Sequence, residues 1–433
     1  MKVVIMAGGK GTRIASVASD IPKPMIPICG KPVLEHQINC LKENGLTDIT
    51  LVVGFLGQQI KDYFSDGSRF NCCISYYTEE SPLGTAGALY KLENISEDFI
   101  LINGDILFDL DFKRLIKFHK EKKSLATLTT HPNSHPFDSA LIISNDNNQV
   151  TDWLNKEDER TFYKNKVNAG IHIISRELIK NYPQDKEKVD LDRDILKPLI
   201  KTGRVFAYQT PEYIKDMGTP ERYEQVSSDI KSGIVKQKNL SSKQKCVFLD
   251  RDGTINILKE YVRKPDNFEL INGVPYAITK FHNLGYLVIV ITNQPVIARG
   301  EIDINMLDLI HMKMETELGK HGSYIDDLFY CPHHPDSGFP GERKKYKIDC
   351  DCRKPKPGMI LEAAKKYNID LASSFMVGDD KRDIKAAINS GCIPVFLSSE
   401  LSHELSLEKS QTDSGEIKTF RCLKEFADSD FFK

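Results

Sequence analysis

Two series of short, wholly apolar runs, each alternating with helix-patterned segments, most strongly constrain the fold of this 433-residue chain. In the first half "KVVIM", "ITLVV" and "FILINGD" lack the in–out alternation of a half-solvated strand. They therefore read as strands covered on both faces. Between the first two, Val33, Leu34, Ile38 and Leu41 recur at helical spacing. Such alternation predicts a doubly wound α/β sheet, whose ligands bind at the carboxyl ends of strands. Residues 232–244 carry no aromatic side chain and many Ser, Lys and Gln, and read as a linker. Beyond them the alternation restarts with "CVFLD", "YLVIVITN", "DDLFYC", "SFMVGDD" and "IPVFL". The expected organisation is one α/β domain over 1–231 and a second over 245–433, both Rossmann-like. No internal repeat relates them, and 399–415 reads as a polar surface insertion.

Composition narrows the class of function. A net charge of −2 argues against a nucleic-acid partner, which needs a strongly basic face. No apolar run reaches the ~20 residues that cross a bilayer, and Val3 to Ala7 is too short for a signal-peptide core. A cytoplasmic protein is expected. Of the cysteines, Cys331, Cys350 and Cys352 cluster with histidines while the rest are scattered, which favours a metal site over a disulfide framework.

The first strand runs into "AGGKGTR". Glycines at 8, 9 and 11 let backbone N–H groups approach phosphate oxygens, and Arg13 adds a fork suited to a polyphosphate. No Gly-Lys-Ser/Thr closes the loop, so it is not a Walker loop. "PKP" holds Lys23 between two prolines on a segment expected to be stiff and extended. Asp105 in "NGD" and Asp216 in "YIKDMGTP" could jointly hold Mg²⁺. These pieces, G-G-x-G-T-R followed by P-K-P, resemble the sugar-1-phosphate nucleotidyltransferases over about residues 1 to 230, whose fold is glycosyltransferase-A-like. The resemblance implies nucleotide binding by Ala7, Gly8, Gly9, Gly11, Thr12, Arg13, Gly84, Thr85 and Asp105, with "LGTAG" lining the base pocket. It further implies metal binding by Asp105 and Asp216, and contacts to the sugar phosphate from Lys23, Lys156 and Asn168. Arg13 and Lys23 would carry the catalytic charge neutralisation. "NKE" stands where many members have Glu-Lys-Pro, so Asn155 replaces an acid that touches a sugar hydroxyl, and the sugar stays open.

"DRDGT" places Asp250 and Asp252 on one side of an extended segment at a strand end. "VITNQ" puts Thr292 at a second strand end, "CRKPKPG" supplies Lys354, and "MVGDD" puts Asp379 at a third. This order resembles the haloacid-dehalogenase-like phosphatases over about 245 to 430. The resemblance implies that Asp250 attacks phosphorus, Asp252 acts as acid and then base, and Thr292 and Lys354 stabilise phosphate oxygens. Asp250, Asp252 and Asp379 would bind Mg²⁺, with Arg353 sharing the substrate phosphate. Asp380 and Asp383 read as helix caps or outer supports. Cys331, His333, Cys350 and Cys352 have the composition of a closed structural zinc site, with His334 an alternative ligand.

The zinc-loop pattern resembles the D,D-heptose bisphosphate phosphatases, whose relatives include histidinol phosphatases, and the first half resembles mannose and heptose guanylyltransferases. Together they imply one chain that removes the distal phosphate of heptose 1,7-bisphosphate and then transfers GMP from GTP to heptose 1-phosphate. Two alternatives stay open: a hexose-1-phosphate transferase joined to a histidinol-phosphate-type phosphatase, and a nucleotide-sugar sensor with one inactive domain. The partners expected are NTP and sugar phosphates, with homo-oligomerisation left open.

Overall fold

A computed structural model describes residues 1–9, 20–93, 95–182, 184–398 and 417–432. The chain divides into two compact units. The first comprises Met1–His131, Asp138–Asp158 and Lys166–Asn239; the second comprises Pro132–Phe137, Glu159–Asn165 and Leu240–Lys433. Two short segments that precede position 231 thus cluster with the second unit. The stretch read as a linker holds a short helix, Ile234–Gln237. The insertion expected at 399–415 lies outside the described residues. No helix of the described residues is long and apolar enough to cross a membrane.

In the first unit, strands Cys73–Thr78, Asp48–Val53, Val3–Met6 and Phe99–Asn103 lie side by side and parallel. Their residues alternate between two buried clusters: Val3 and Ile5 pack with Leu34 and Ile38, while Val4 packs with Leu83 and Leu101. Coverage on both faces is why these strands are apolar throughout. The sheet is mixed rather than wholly parallel, because Val167–Ile174 joins antiparallel to Phe99–Asn103 and extends it to nine strands. An apolar run carries no mark of strand direction, so periodicity did not reveal this. A separate antiparallel pair, Ile106–Asp109 with Tyr213–Asp216, sets Asp216 opposite Ile106.

The second unit is a six-stranded, all-parallel sheet. Its order is Asp327–Cys331, Tyr286–Asn293, Lys245–Leu249, Phe375–Gly378, Ile393–Leu397, Lys418–Phe420. Numbered along the chain this is 3-2-1-4-5-6, the doubly wound order. Connections leave the first and fourth strands in opposite directions, which opens a crevice beyond their carboxyl ends. Asp250 follows the first of those strands and Asp379 the fourth. Helices Val274–Asn283, Ile304–Lys320, Gly358–Tyr367 and Lys381–Ser390 accompany the sheet, with Val247 and Leu249 in one core cluster and Cys246 and Phe248 in another.

One core group of the first unit titrates. His172 sits on a central strand between Leu101 and Leu128 and is 2% exposed. Burial pushes its imidazole down to about 4. The unfolded chain takes up this proton near pH ~6.5 and the folded chain only near 4, so the stability contributed above ~6.5 is lost progressively as pH falls between those values. The full effect is about 3 kcal/mol. Trp153, the single tryptophan, is buried in the same unit. Urea unfolding followed by its fluorescence should show stability falling from pH 7 to 5, and His172→Leu should flatten that slope.

Candidate active sites

The second unit gathers charge at its crevice. The Asp250 amide donates to the Val377 carbonyl at 2.9 Å, fixing the first aspartate against the neighbouring strand. The Asp250 carboxylate pairs with the Lys354 ammonium at 2.9 Å and accepts from the Arg251 amide at 2.7 Å. Lys354, 2% exposed, also pairs with Asp383 at 2.7 Å. Oxygens of Asp250, Asp379 and Asp383 lie within 4.8 Å of one another. Asp250 and Asp379 are both pushed up to about 6, chiefly by burial; Lys354 pulls each down, while Asp383 adds to the rise of the first and Asp250 to that of the second. Burial opposes the Lys354 charge, yet Asp250 and Asp383 hold its ammonium above the ordinary range. One ammonium among three carboxylates leaves excess negative charge, and three hard oxygen donors on one side suit Mg²⁺. The residues fit that ion.

Two glycines make this convergence possible. Gly253 has φ +82, and a Cβ there would come within 2.0 Å of Asp379 Oδ2. A Cβ on Gly378 would come within 2.1 Å of Asp383 Oδ2. Asp383 also closes a capping box with Asp380 at the start of helix Lys381–Ser390. The helix expectation for Asp380 and Asp383 therefore holds, but Asp383 stands within the carboxylate cluster as well.

The Asp252 side chain differs from the expectation that it joins the metal set. Its oxygens accept from the Arg251 guanidinium at 2.7 to 3.2 Å, from Gln294 at 2.9 Å and from Asn256 at 3.0 Å. The carboxylates that converge are Asp250, Asp379 and Asp383 instead. Burial works to raise the Asp252 carboxyl, but Arg251 with Gln294 and Asn256 outweighs it and holds it below the usual range. A proton-transfer role requires that this clamp loosen when substrate arrives, because an ionised acid has no proton to give. Thr292 is buried on the adjacent strand, and its hydroxyl accepts from the same Gln294 amide at 2.9 Å. Asn293 exchanges two 3.0 Å hydrogen bonds with the Lys354 backbone and so fixes the lysine. Sequence reasoning passed over Arg251, Asn293 and Gln294 as supports, although the last two stand inside "VITNQ".

The cysteine-rich loop also assembles. Cys331, Cys350 and Cys352 sulfurs stand 3.1 to 3.5 Å apart, and His333 Nδ1 lies 3.3 Å from Cys352 and 3.7 Å from Cys331. A tetrahedral ion with Zn–S near 2.3 Å needs ligand edges of roughly 3.8 Å, so the sulfurs would spread by a few tenths of an ångström on binding, and the converging Cys₃His donor set is of the kind that suits zinc. His334 turns elsewhere, its Nδ1 accepting from the Asp336 amide and its Nε2 3.3 Å from Arg299. The His333 carbonyl accepts from Arg353 at 3.0 Å, which ties the loop to the Arg353–Lys354 pair.

In the first unit a cavity of about 810 Å³ is lined by Gly8, Gly9, Lys23, Gly84, Thr85 and Asp105, all expected there. Glu79, Phe55 and Asn103 also line it and were not anticipated. Gly11, Thr12 and Arg13 lie outside the described residues. Ala7 is buried, its amide donating to the Val52 carbonyl at 2.8 Å. Lys23 opens a single 3-10 turn, Lys23–Met25, rather than an extended segment, because the Met25 amide closes onto the Pro22 carbonyl at 2.7 Å. Its ammonium pairs with Asp105 at 2.5 Å. Asp216 is held instead by both oxygens on Arg222 at 2.8 and 2.9 Å. The Met217 amide reaches the Asp105 carbonyl at 3.3 Å, so the two chain segments are adjacent. Each carboxylate is thus paired with a cation, and both are oxygen donors suited to Mg²⁺. Neither Lys156, exposed beside Glu157 at 3.6 Å, nor Asn168, whose side chain accepts from the Gly170 amide at 3.3 Å, lines the cavity.

Comparison with known proteins agrees with the two folds. A family model described as nucleotidyl transferase matches residues 2–233, and one described as HAD-hydrolase-like matches 351–419. The D-glycero-beta-D-manno-heptose-1,7-bisphosphate 7-phosphatase of Photorhabdus laumondii is 45% identical over 141 residues, 33% of this chain and 73% of its own length. The mannose-1-phosphate guanylyltransferase of Mycobacterium tuberculosis is 32% identical over 238 residues, 53% of this chain and 65% of its own. The solved structure of HddC from Yersinia pseudotuberculosis is 31% identical, with 53% of this chain and 99% of that one covered at a TM-score of 0.47. The chain belongs to the nucleotidyl transferase family through its first half and carries a HAD-like phosphatase domain in its second. It spans a little under two thirds of the guanylyltransferase relative.

The glycine geometry is open to test. Gly253→Ala should displace Asp379 and lower phosphate release from a sugar phosphate by about 100-fold, with nucleotidyl transfer unchanged. Near-normal phosphatase rates would show that Asp379 need not stand where it does.

Proposed function

We propose that this chain performs two consecutive steps on one sugar: removal of the 7-phosphate of D-glycero-D-manno-heptose 1,7-bisphosphate, then guanylyl transfer from GTP to the resulting heptose 1-phosphate. The observation that carries the reading is the buried Asp250–Lys354–Asp383 array with Asp379 alongside, in a chain whose other half holds the Lys23–Asp105 cavity. Relatives named for the heptose bisphosphate phosphatase and for a guanylyltransferase support the substrates.

In the phosphatase step an Asp250 oxygen attacks the distal phosphorus, and the bond from phosphorus to the sugar oxygen breaks. The leaving oxygen takes a proton from Asp252. Asp252 then accepts a proton from the water that attacks the aspartyl phosphate, which frees inorganic phosphate and restores Asp250. Lys354 and Thr292 face the charge that develops on the phosphate oxygens, and Arg353 binds the substrate phosphate. In the transferase step an oxygen of the sugar 1-phosphate attacks the α-phosphorus of GTP, and pyrophosphate leaves. No protein nucleophile is needed; Arg13, Lys23 and the glycine loop position and neutralise the triphosphate, while Lys156 and Asn168, which stand outside the cavity lining, would have to move toward it to reach the sugar phosphate. Mg²⁺ held by Asp250, Asp379 and Asp383 in one unit, and by Asp105 and Asp216 in the other, supplies further charge neutralisation when bound. Cys331, His333, Cys350 and Cys352 would hold a zinc ion that stiffens the loop presenting Arg353 and Lys354. The enzyme so read works in the cytoplasm on small molecules.

Mass spectrometry of products from heptose 1,7-bisphosphate with GTP tests the order. Asp250→Asn should stall at the bisphosphate, and Asp105→Asn should accumulate heptose 1-phosphate. GDP-heptose 7-phosphate formed by Asp250→Asn would overturn the sequence of steps. Zinc removal by a strong chelator should lower phosphatase activity at least ~10-fold while guanylyl transfer, assayed with magnesium restored, persists.

A further inference from the structure

We infer that helix Ile304–Lys320 of the second unit positions Lys156 for the sugar phosphate, by anchoring the stretch of chain that follows this lysine. The inference rests on the transferase reading above and names the residues that hold its sugar-phosphate contact. Lys156 lies between strands Val150–Leu154 and Val167–Ile174 of the first unit's sheet. Residues 155–166 join those strands, a connection about twice the usual length. Its middle, Glu159–Asn165, clusters with the second unit instead.

Loops ordinarily give their backbone groups to water. Here two amides are taken up by side chains of the helix. The Tyr163 amide donates to Thr316 Oγ1 at 3.0 Å, and the Asn165 amide donates to Glu315 Oε2 at 2.6 Å. Tyr163 and Thr316 are both buried, so losing that hydroxyl leaves a buried donor unpaired. Lys164 adds an ion pair to Asp308 at 3.3 Å. The helix is also shaped for its guest. A Cβ on Gly319, in the last turn, would come within 2.4 Å of the Tyr163 hydroxyl and 3.2 Å of Pro136 Cγ. Pro136 belongs to Pro132–Phe137, the other early segment that clusters with the second unit. Asn133 and Asn165 tie the two segments by hydrogen bonds of 2.7 and 3.1 Å. Both therefore dock together where the helix carries no side chain.

Docking fixes the free length of chain around Lys156. With 159–165 held, only residues 155–158 remain between the end of strand Val150–Leu154 and the anchor. That turn is itself closed, the Asn155 amide donating to the Asp158 carboxylate at 2.7 Å. A lysine on a short tethered turn loses less freedom on meeting a phosphate than one on a loop free along its whole length. The benefit falls on binding of the sugar 1-phosphate and not on the chemical step.

The test measures kcat and KM for pyrophosphate release by the full chain, with heptose 1-phosphate and GTP varied in turn. Gly319→Ala suits the helix, since alanine is the better helix former, yet it drives out Tyr163 and Pro136. Thr316→Val removes the hydroxyl and keeps the shape. Each should raise KM for the sugar 1-phosphate about 10-fold, with kcat and KM for GTP within about twofold of wild type. Thr316→Ser, which keeps the acceptor, should retain the wild-type KM. Release of the 7-phosphate should be unchanged in all three. In a Lys156→Ala background the same substitutions should add nothing further. An unchanged KM in both Gly319→Ala and Thr316→Val overturns the anchor. So does a fall shared by both activities, or a rise of the same factor that persists without Lys156. A wild-type KM in Lys156→Ala alone would strike that lysine from the sugar-phosphate contacts and the anchor's purpose with it. No turnover of any NTP by the wild-type chain would remove the transferase reading itself, a different outcome from any of these.

Discussion

The crevice of the second unit depends on Lys354, a buried cation. Lys354 lies between Asp250 and Asp383 with almost no exposure, and it offsets charge that would otherwise drive three carboxylates apart. Breaking a buried ion pair by removing one partner costs roughly 3–5 kcal/mol, so the lysine holds the fold of the crevice as well as its chemistry. Its position is over-determined: Asn293 grips its backbone from one strand end, and the cysteine-rich loop holds the preceding Arg353 through the His333 carbonyl. The remaining negative charge is what a divalent ion would meet.

The two units handle phosphate by opposite means. In the second, the proposed carboxylate nucleophile must be ionised and close to a cation, which demands tight approach of like charges; Gly253 and Gly378 supply the space that any Cβ would fill. In the first, the proposed reaction has no protein nucleophile, and the cavity needs positioning and charge. Its lysine and aspartate answer each other across the cavity wall, and Asp216 is satisfied by Arg222. A metal there competes with two existing ion pairs rather than filling a bare cluster.

The expected strands and helices were legible because their patterns are local. Val3–Met6, Asp48–Val53, Lys245–Leu249 and Phe375–Gly378 are apolar on both faces, and helix Val33–Glu43 carries its buried residues at helical spacing. The motif residues Asp250 and Asp379 were legible because each follows a strand, and Lys354 because it stands in the basic, proline-flanked "CRKPKPG". Asp383 was read as a cap or outer support, since it stands four positions after Asp379 inside the helix start, while the capping turn folds it back. Glu79 precedes "LGTAG" without any pattern of its own; only the packing of its carboxylate on Gly8 and Gly54 brings it into the cavity.

From the sequence alone came two α/β folds, the strand ends that carry charge, and the residue types able to move a phosphate. Tertiary structure decided strand direction at Val167–Ile174, the partner of each carboxylate, and which histidine turns toward the cysteines. The reason is range: periodicity and turn chemistry act over a few neighbouring residues, whereas an ion pair such as Lys354 with Asp250 joins positions that meet only once the sheet has formed.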